Sequence, residues 1–217
     1  IMHTDPDLFF AKGMRPDTLG WLEYKLNPTE LDYVWRCIDK KKESYNHQLA
    51  GHLSNSYVLL DRSDWFFHNT IKPLLIQYVS NFGDSIGESL PTNQRHPYYM
   101  ESWWVNYQKQ GEFNPPHKHK GVYSFVIWMK IPFSWEEQNK KDIARKCNHP
   151  AISSFQFQYS TILGDLRTYD YELSSQDEGM MVLFPSQLFH SVCPFYDCNE
   201  ERISVSGNVS LNTTKVI

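Results

Sequence analysis

Val122-Tyr123-Ser124-Phe125-Val126-Ile127-Trp128-Met129-Lys130-Ile131 is the stretch on which the fold turns. β-Branched and aromatic residues run through it with almost no polar interruption, so neither face is left for water. Such a segment reads as a central strand buried on both faces. Working outward, Tyr98 to Gln108, Phe155 to Tyr159, Met180 to Phe184 and Ile203 to Leu211 share that make-up, with period two or unbroken apolarity. Gly111, Pro115-Pro116, Gly164-Asp165 and Pro185-Ser186 punctuate them as turns. The charged piece from Glu136 to Cys147 interrupts the strands as an insertion and is expected to form a short helix over the barrel mouth.

Before Pro91 the pattern is helical. Asn27-Pro28-Thr29-Glu30 supplies a capping side chain, a proline at the first helical position and an acid in the first turn. Leu31, Val34, Trp35 and Ile38 follow on one helical face, ahead of the basic run Lys40-Lys41-Lys42. A second helix is expected from Ser63-Asp64 through Trp65, Phe66, Ile71, Leu74, Leu75, Tyr78 and Val79, bending at Pro73 and stopping at Gly83. Helices followed by many short strands predict a mainly β jelly roll with N-terminal helices packed on one sheet. With no internal repeat or linker, residues 1–217 read as a single domain: a helical support region over 1–95 and a jelly-roll core over 96–217.

The 217 residues are 41% hydrophobic, enough for one substantial core. Seven Trp and thirteen each of Tyr and Phe fill such a core before they line any pocket. A formal net charge of −4, from 21 basic and 25 acidic residues, argues against a nucleic-acid partner. No apolar run reaches the roughly 18 residues of a membrane span. Cys37, Cys147, Cys193 and Cys198 follow no disulfide spacing, so a reducing cytoplasmic setting is expected, the host cytoplasm for a viral chain. Cys147, His149, Cys193 and Cys198 match no familiar zinc-finger spacing.

His117-Lys118-His119 carries the chemistry. Side chains alternate along an extended segment, so these two imidazoles point the same way. His190, after the turn Phe184-Pro185-Ser186, adds a third, and each half lies at a strand end where ligands are both rigid and reachable. Three imidazoles with open positions suit a catalytic metal, and Arg202 in the next strand can clamp a carboxylate with its two-pronged fork. The set suggests a metal-dependent oxygenase with a dicarboxylate co-substrate. His3, His47, His52, His68, His96 and His149 read as ordinary surface or hydrogen-bonded residues. Weaker site candidates are Asn106, as an amide donor to the co-substrate, Tyr107 or Tyr123 as a hydroxyl, and Lys130 as a substitute anchor. For each, packing is the competing role, as it is for Asn208, Trp103, Trp104 and Trp128.

Gly111-Glu112-Phe113-Asn114-Pro115-Pro116-His117-Lys118-His119, then Ser124 to Pro132, then Phe184-Pro185-Ser186 with His190 and Pro194, then Arg202 to Asn208, resembles the Fe(II)/2-oxoglutarate-dependent oxygenases. Within them it is most similar to the prolyl-hydroxylase-like oxygenases of marine bacteria and their phages, and the resemblance spans roughly residues 100 to 212. It implies a double-stranded β-helix, the jelly-roll variant also seen in cupins. It also implies Fe(II) on His117 and His190, 2-oxoglutarate anchored by Arg202, and O₂-dependent hydroxylation of a C–H bond. The substrate it suggests is a peptidyl proline or another amino-acid residue, with free amino acids and small metabolites open. The departure is His119, where the wider family carries Asp or Glu. That leaves three alternatives to be told apart: the 2-oxoglutarate-dependent hydroxylase; a three-histidine, cupin-like enzyme without 2-oxoglutarate, either a dioxygenase or a zinc hydrolase; and a catalytically silent phage structural or interaction protein. A homodimer is left open.

Overall fold

Burial on both faces of the Val122–Ile131 stretch follows from its place in the structure. In the computed structural model, which describes residues 18–41, 44–45, 51–84, 94–145 and 148–217, the elements run in chain order as follows. First come β1 (Leu22–Lys25), α1 (Pro28–Asp39), β2 (Asn55–Val58), α2 (Lys72–Phe82), β3 (Tyr98–Gln108), β4 (Asn114–His117) and β5 (Tyr123–Lys130). Then follow α3 (Trp135–Asn139), β6 (Phe155–Ser160), β7 (Leu166–Tyr171), β8 (Met180–Pro185), β9 (Phe189–Val192) and β10 (Arg202–Leu211). One antiparallel sheet of six strands has the order β1-β8-β5-β10-β3-β2, and a second of four has the order β4-β9-β6-β7. β5 lies inside the larger sheet between β8 and β10. Its Phe125, Ile127 and Met129 pack with the helices, while Val126 and Trp128 pack into the space between the sheets. This is the double-stranded β-helix with its helices on one sheet.

Local chemistry holds the helices there. Glu30 N–H donates to Asn27 Oδ1 at 3.0 Å, and Asn27 N–H donates to Glu30 Oε2 at 2.9 Å, a reciprocal cap at the start of α1. The buried Glu30 carboxylate also accepts from Tyr24 and Thr70, tying α1 to β1 and to the turn before α2. The single second helix expected from Ser63 is three pieces: a 3₁₀ turn at Arg62–Asp64, a wide π-turn at Phe67–Ile71, and α2. Pro73 sits in the first turn of α2, where a missing N–H costs nothing, and the wide turn takes up its ring. Gly83, at φ 75°, ends α2.

Two expectations change and a third holds. The region expected as helical support also supplies β1 and β2, the two edge strands of the larger sheet. Each has four residues, too short for alternation to show. Pro115-Pro116, expected as a turn, lies within β4. That strand pairs only with β9, so its outer edge tolerates prolines that cannot donate. The Glu136–Cys147 insertion does contain a helix, α3, of five residues. It docks through Trp135 Nε1 on Ser154 Oγ and through Gln138 on the Tyr196 backbone, closing the end of the barrel where Arg202 lies. His3, His47, Pro91 and Cys147 lie outside the described residues. Among the described residues no helix is long and apolar enough to cross a membrane.

Candidate metal centre

Strand pairing brings His117 and His190 together, because the two are directly opposite in the β4–β9 ladder. His119 follows two residues beyond His117, outside the strand. Its N–H donates to the Ser186 carbonyl at 2.9 Å, and its carbonyl accepts from Gln187 Nε2 at 3.2 Å, so the turn after β8 fixes it. The result is three imidazoles with ring centroids 4.3 to 5.0 Å apart and one candidate ligand atom each, all within 4.8 Å of one another. It is the only group of three or more potential metal-ligating side chains among the described residues. His52 stacks on Phe113, His96 pairs with the Lys215 carbonyl and His149 with Asp170, so all three lie elsewhere, as expected.

The hydrogen bonds behind the rings assign the donor atoms. His117 Nδ1 lies 2.7 Å from the Pro115 carbonyl, and His190 Nδ1 lies 3.0 Å from the Leu188 carbonyl. A carbonyl only accepts, so both Nδ1 atoms carry the proton and both Nε2 atoms keep a free lone pair. Backbone carbonyls behind metal-bound histidines commonly do this. His119 Nε2 and His190 Nε2 face each other at 3.1 Å, two ring nitrogens for which a shared cation is a natural occupant. Phe155, Phe157 and Phe184 surround the His190 ring and hold its orientation.

Burial favours the neutral form of all three rings. It pushes the His119 pKa down to about 4, helped by the neighbouring His117, and pushes His190 well below the ordinary histidine value. The His117 pKa is also lowered by burial, against the opposing pull of the Pro115 carbonyl. Neutral imidazole is the ligating form, so the donor set fits an N-ligated divalent metal such as iron. Among the described residues no carboxylate joins it: the position where an acid was the family expectation is His119, and no described Asp or Glu lines the cavity.

That cavity, about 150 Å³, lies between the two sheets. The histidines form one wall, and inward-facing β3 and β10 residues form the other: Trp104, Asn106, Gln108, Ser204, Ser206 and Asn208. Arg202, 3% exposed, lies at one end. Burial lowers its pKa to about 10, which still leaves it charged at neutral pH. Nε and Nη2 both donate to Gln108 Oε1, and Nη1 donates to the Ser153 carbonyl at 3.1 Å. Asn106 shares the cavity with the histidines, its Oδ1 accepting from Ser56. Asn208 lines it too and accepts from Ser124.

Three candidates are corrected. Tyr107 alternates with Asn106 and so faces the helix side, against Tyr57 and beneath the Lys41 ammonium. Lys130 has the inward parity of Val126 and Trp128, but a bulge opposite Ile203 and Ser204 ends the pattern. Its ammonium pairs at the surface with Glu200 at 2.7 Å. Tyr123 likewise belongs to the helix-side core. Gln108 and Trp104 were not singled out as site residues from sequence. The signal was available for both: they lie two residues either side of Asn106, on one face of a strand.

A family model described as "Putative 2OG-Fe(II) oxygenase" matches residues 102–208. Among solved structures, a prolyl-4-hydroxylase from Pseudomonas putida is similar at 13% identity and a TM-score of 0.52, over 90% of this chain and 94% of that one. An oxidoreductase of the 2OG-Fe(II) oxygenase family from Burkholderia pseudomallei is similar at 12% identity and a TM-score of 0.53, over 88% and 84%. At these identities the likeness is one of fold. No curated protein matches the sequence.

Proposed function

Since the chain belongs, through residues 102–208, to the 2OG-Fe(II) oxygenase family, we propose that it is a metal-dependent oxygenase built on a three-histidine centre. The observation that carries this is the convergence of His117, His119 and His190 with no acid among them. Iron held there would supply O₂ activation for oxidation of a substrate C–H bond. The chain's own residues do the rest. Pro115 and Leu188 carbonyls fix two rings in the ligating tautomer, the aromatic bed fixes the third dimension of His190, and burial keeps protons off all three. In this reading the donor set differs from two histidines and a carboxylate, and Arg202 orients a carboxylate belonging to the substrate itself.

A second reading is favoured by Arg202. A buried guanidinium without an acidic partner, in the same cavity as the histidines, also suits the distal carboxylate of 2-oxoglutarate. The substrate would then be a separate molecule, a peptidyl proline, another amino-acid residue or a small metabolite. Anaerobic titration with Fe(II) and then 2-oxoglutarate, followed in the visible range, separates the two. Iron binding without a new band upon addition of 2-oxoglutarate is expected for the first reading. A broad charge-transfer band appearing only with both present supports the second. Failure to bind iron, with binding equally weak in His190→Ala, overturns both and leaves a silent scaffold.

A further inference from the structure

Arg202 is held in a way that preserves its charge. Its register partner across the β3–β10 ladder is Gln108, so strand pairing sets the two side by side on the inner face. Gln108 Nε2 donates to the Glu112 carbonyl at 2.5 Å, which leaves only Oε1 to face the guanidinium. That single oxygen takes both Nε and Nη2, while the Ser153 carbonyl takes one Nη1 proton. Three of the five N–H groups are thereby used, leaving one on each terminal nitrogen uncommitted. Every partner is neutral. The ring of Phe133, 5.8 Å from the guanidinium carbon, adds a further uncharged neighbour.

A buried arginine is ordinarily paired with an acid, because an unpaired charge out of water is costly. Here the cost is carried, and among the described residues the cavity has no acid to offset it. We propose that Gln108 is the positioning residue of the anion subsite: it locks the guanidinium plane while withholding the negative charge, so that a ligand carboxylate is the only counter-ion Arg202 can find. This rests on the reading of Arg202 as a carboxylate anchor, and it applies whether that carboxylate belongs to a substrate or to a co-substrate. A glutamate has the same size as Gln108 and would keep the hydrogen bonds to Arg202. It would also complete an internal ion pair, and an incoming carboxylate would then meet a like charge in a dry site.

Gln108→Glu is therefore the test, on the Co(II)-loaded protein, with acetate, succinate and 2-oxoglutarate as probes in calorimetric titrations. The cobalt spectrum reports the histidine site. Wild type is expected to bind at least one probe. Q108E gives up the hydrogen bond to the Glu112 carbonyl but should keep the cobalt spectrum unchanged while binding that probe about a hundredfold more weakly. A Gln108 serving packing alone predicts the reverse, since the isosteric glutamate would then resemble wild type in carboxylate binding. Binding by Q108E within about threefold of wild type overturns the proposal and leaves the anchor reading standing. Binding of no probe by wild type, or binding that survives Arg202→Met, overturns the anchor reading and the proposal with it. Should Q108E lose the cobalt spectrum, Gln108→Met decides. It keeps the charge and removes the acceptor, so a loss of about tenfold supports positioning and unchanged binding overturns it.

Discussion

Lowering the pH from 7 to 5 puts the burial of the three histidines to a quantitative test. A metal must displace any proton on its ligand nitrogen, so affinity falls with pH in proportion to the protonated fraction. An ordinary histidine, titrating near 6.5, costs about 25-fold in affinity between pH 7 and pH 5, and three independent ones cost about 10⁴-fold. His119, pushed down to about 4 by burial and the adjacent His117, costs only about 10% over that interval. His117 and His190 are shifted in the same direction for the same reason. The expected result is a Co(II) or Zn(II) affinity that falls by less than about tenfold from pH 7 to pH 5.5, with little proton release on binding. Calorimetric titrations in two buffers of different ionisation enthalpy measure both quantities at once. A fall of several hundredfold, or release of more than one proton per metal at pH 6, refutes the claim that burial holds these rings neutral. The same shift has a sign in stability. The unfolded chain accepts protons below about 6.5 that the folded site refuses, so the metal-free protein loses stability as pH falls from there towards 4. His119 alone contributes on the order of 3 kcal/mol to that loss.

Three further predictions concern parts outside the metal ligands. Lys130→Ala and Tyr107→Phe leave carboxylate and metal affinity unchanged, because the ammonium is paired with Glu200 and the tyrosine faces the helices; a loss in either titration would return that residue to the site. Gly207→Ala destabilises by about 1–3 kcal/mol, since its Cβ would fall 2.4 Å from Phe125 Cζ and 3.0 Å from the Ser102 carbonyl; denaturant unfolding reads the change. Asn27→Ala removes the reciprocal cap of α1 at a cost of about 1 kcal/mol, or about 2–4 °C in Tm by thermal unfolding.

What was legible in the sequence were the features set by local chemistry. The cap at Asn27 and Glu30, the one-sided face of α1 and the unbroken apolarity of β5 each follow from neighbours within a few residues. Strands β1, β2, β4 and β9 have only four residues each and take their conformation from the ladders they join, a tertiary cause that leaves no periodicity. The histidines were legible because chemistry marks them and strand ends position them. Period two would already have excluded Tyr107 once Asn106 was chosen, and would have pointed to Trp104 and Gln108. Lys130 is the opposite case. Parity placed it inward, and a bulge in its own strand between Trp128 and Lys130, invisible without the partner strand, turned it out.

Charge is what joins the two halves of the site. Three neutral imidazoles leave a divalent metal with its full charge, where an acid at residue 119 would have cancelled part of it. Arg202 adds a further positive charge at the end of the same cavity, held by Gln108 and Ser153 without neutralisation, and no acid among the described residues lines the walls between them. On either functional reading, a cavity of about 150 Å³ with that much uncompensated charge would suit a small anion. Both functional readings contain such an anion; they differ in which molecule carries it. If it is 2-oxoglutarate, the oxidised substrate needs room beyond it, and the wall formed by Trp104 and Asn208 is what it meets. If it is the substrate, the same carboxylate contact fixes the distance from Arg202 to the bond that is oxidised, and changing the length of the acid should move the site of oxidation along its chain.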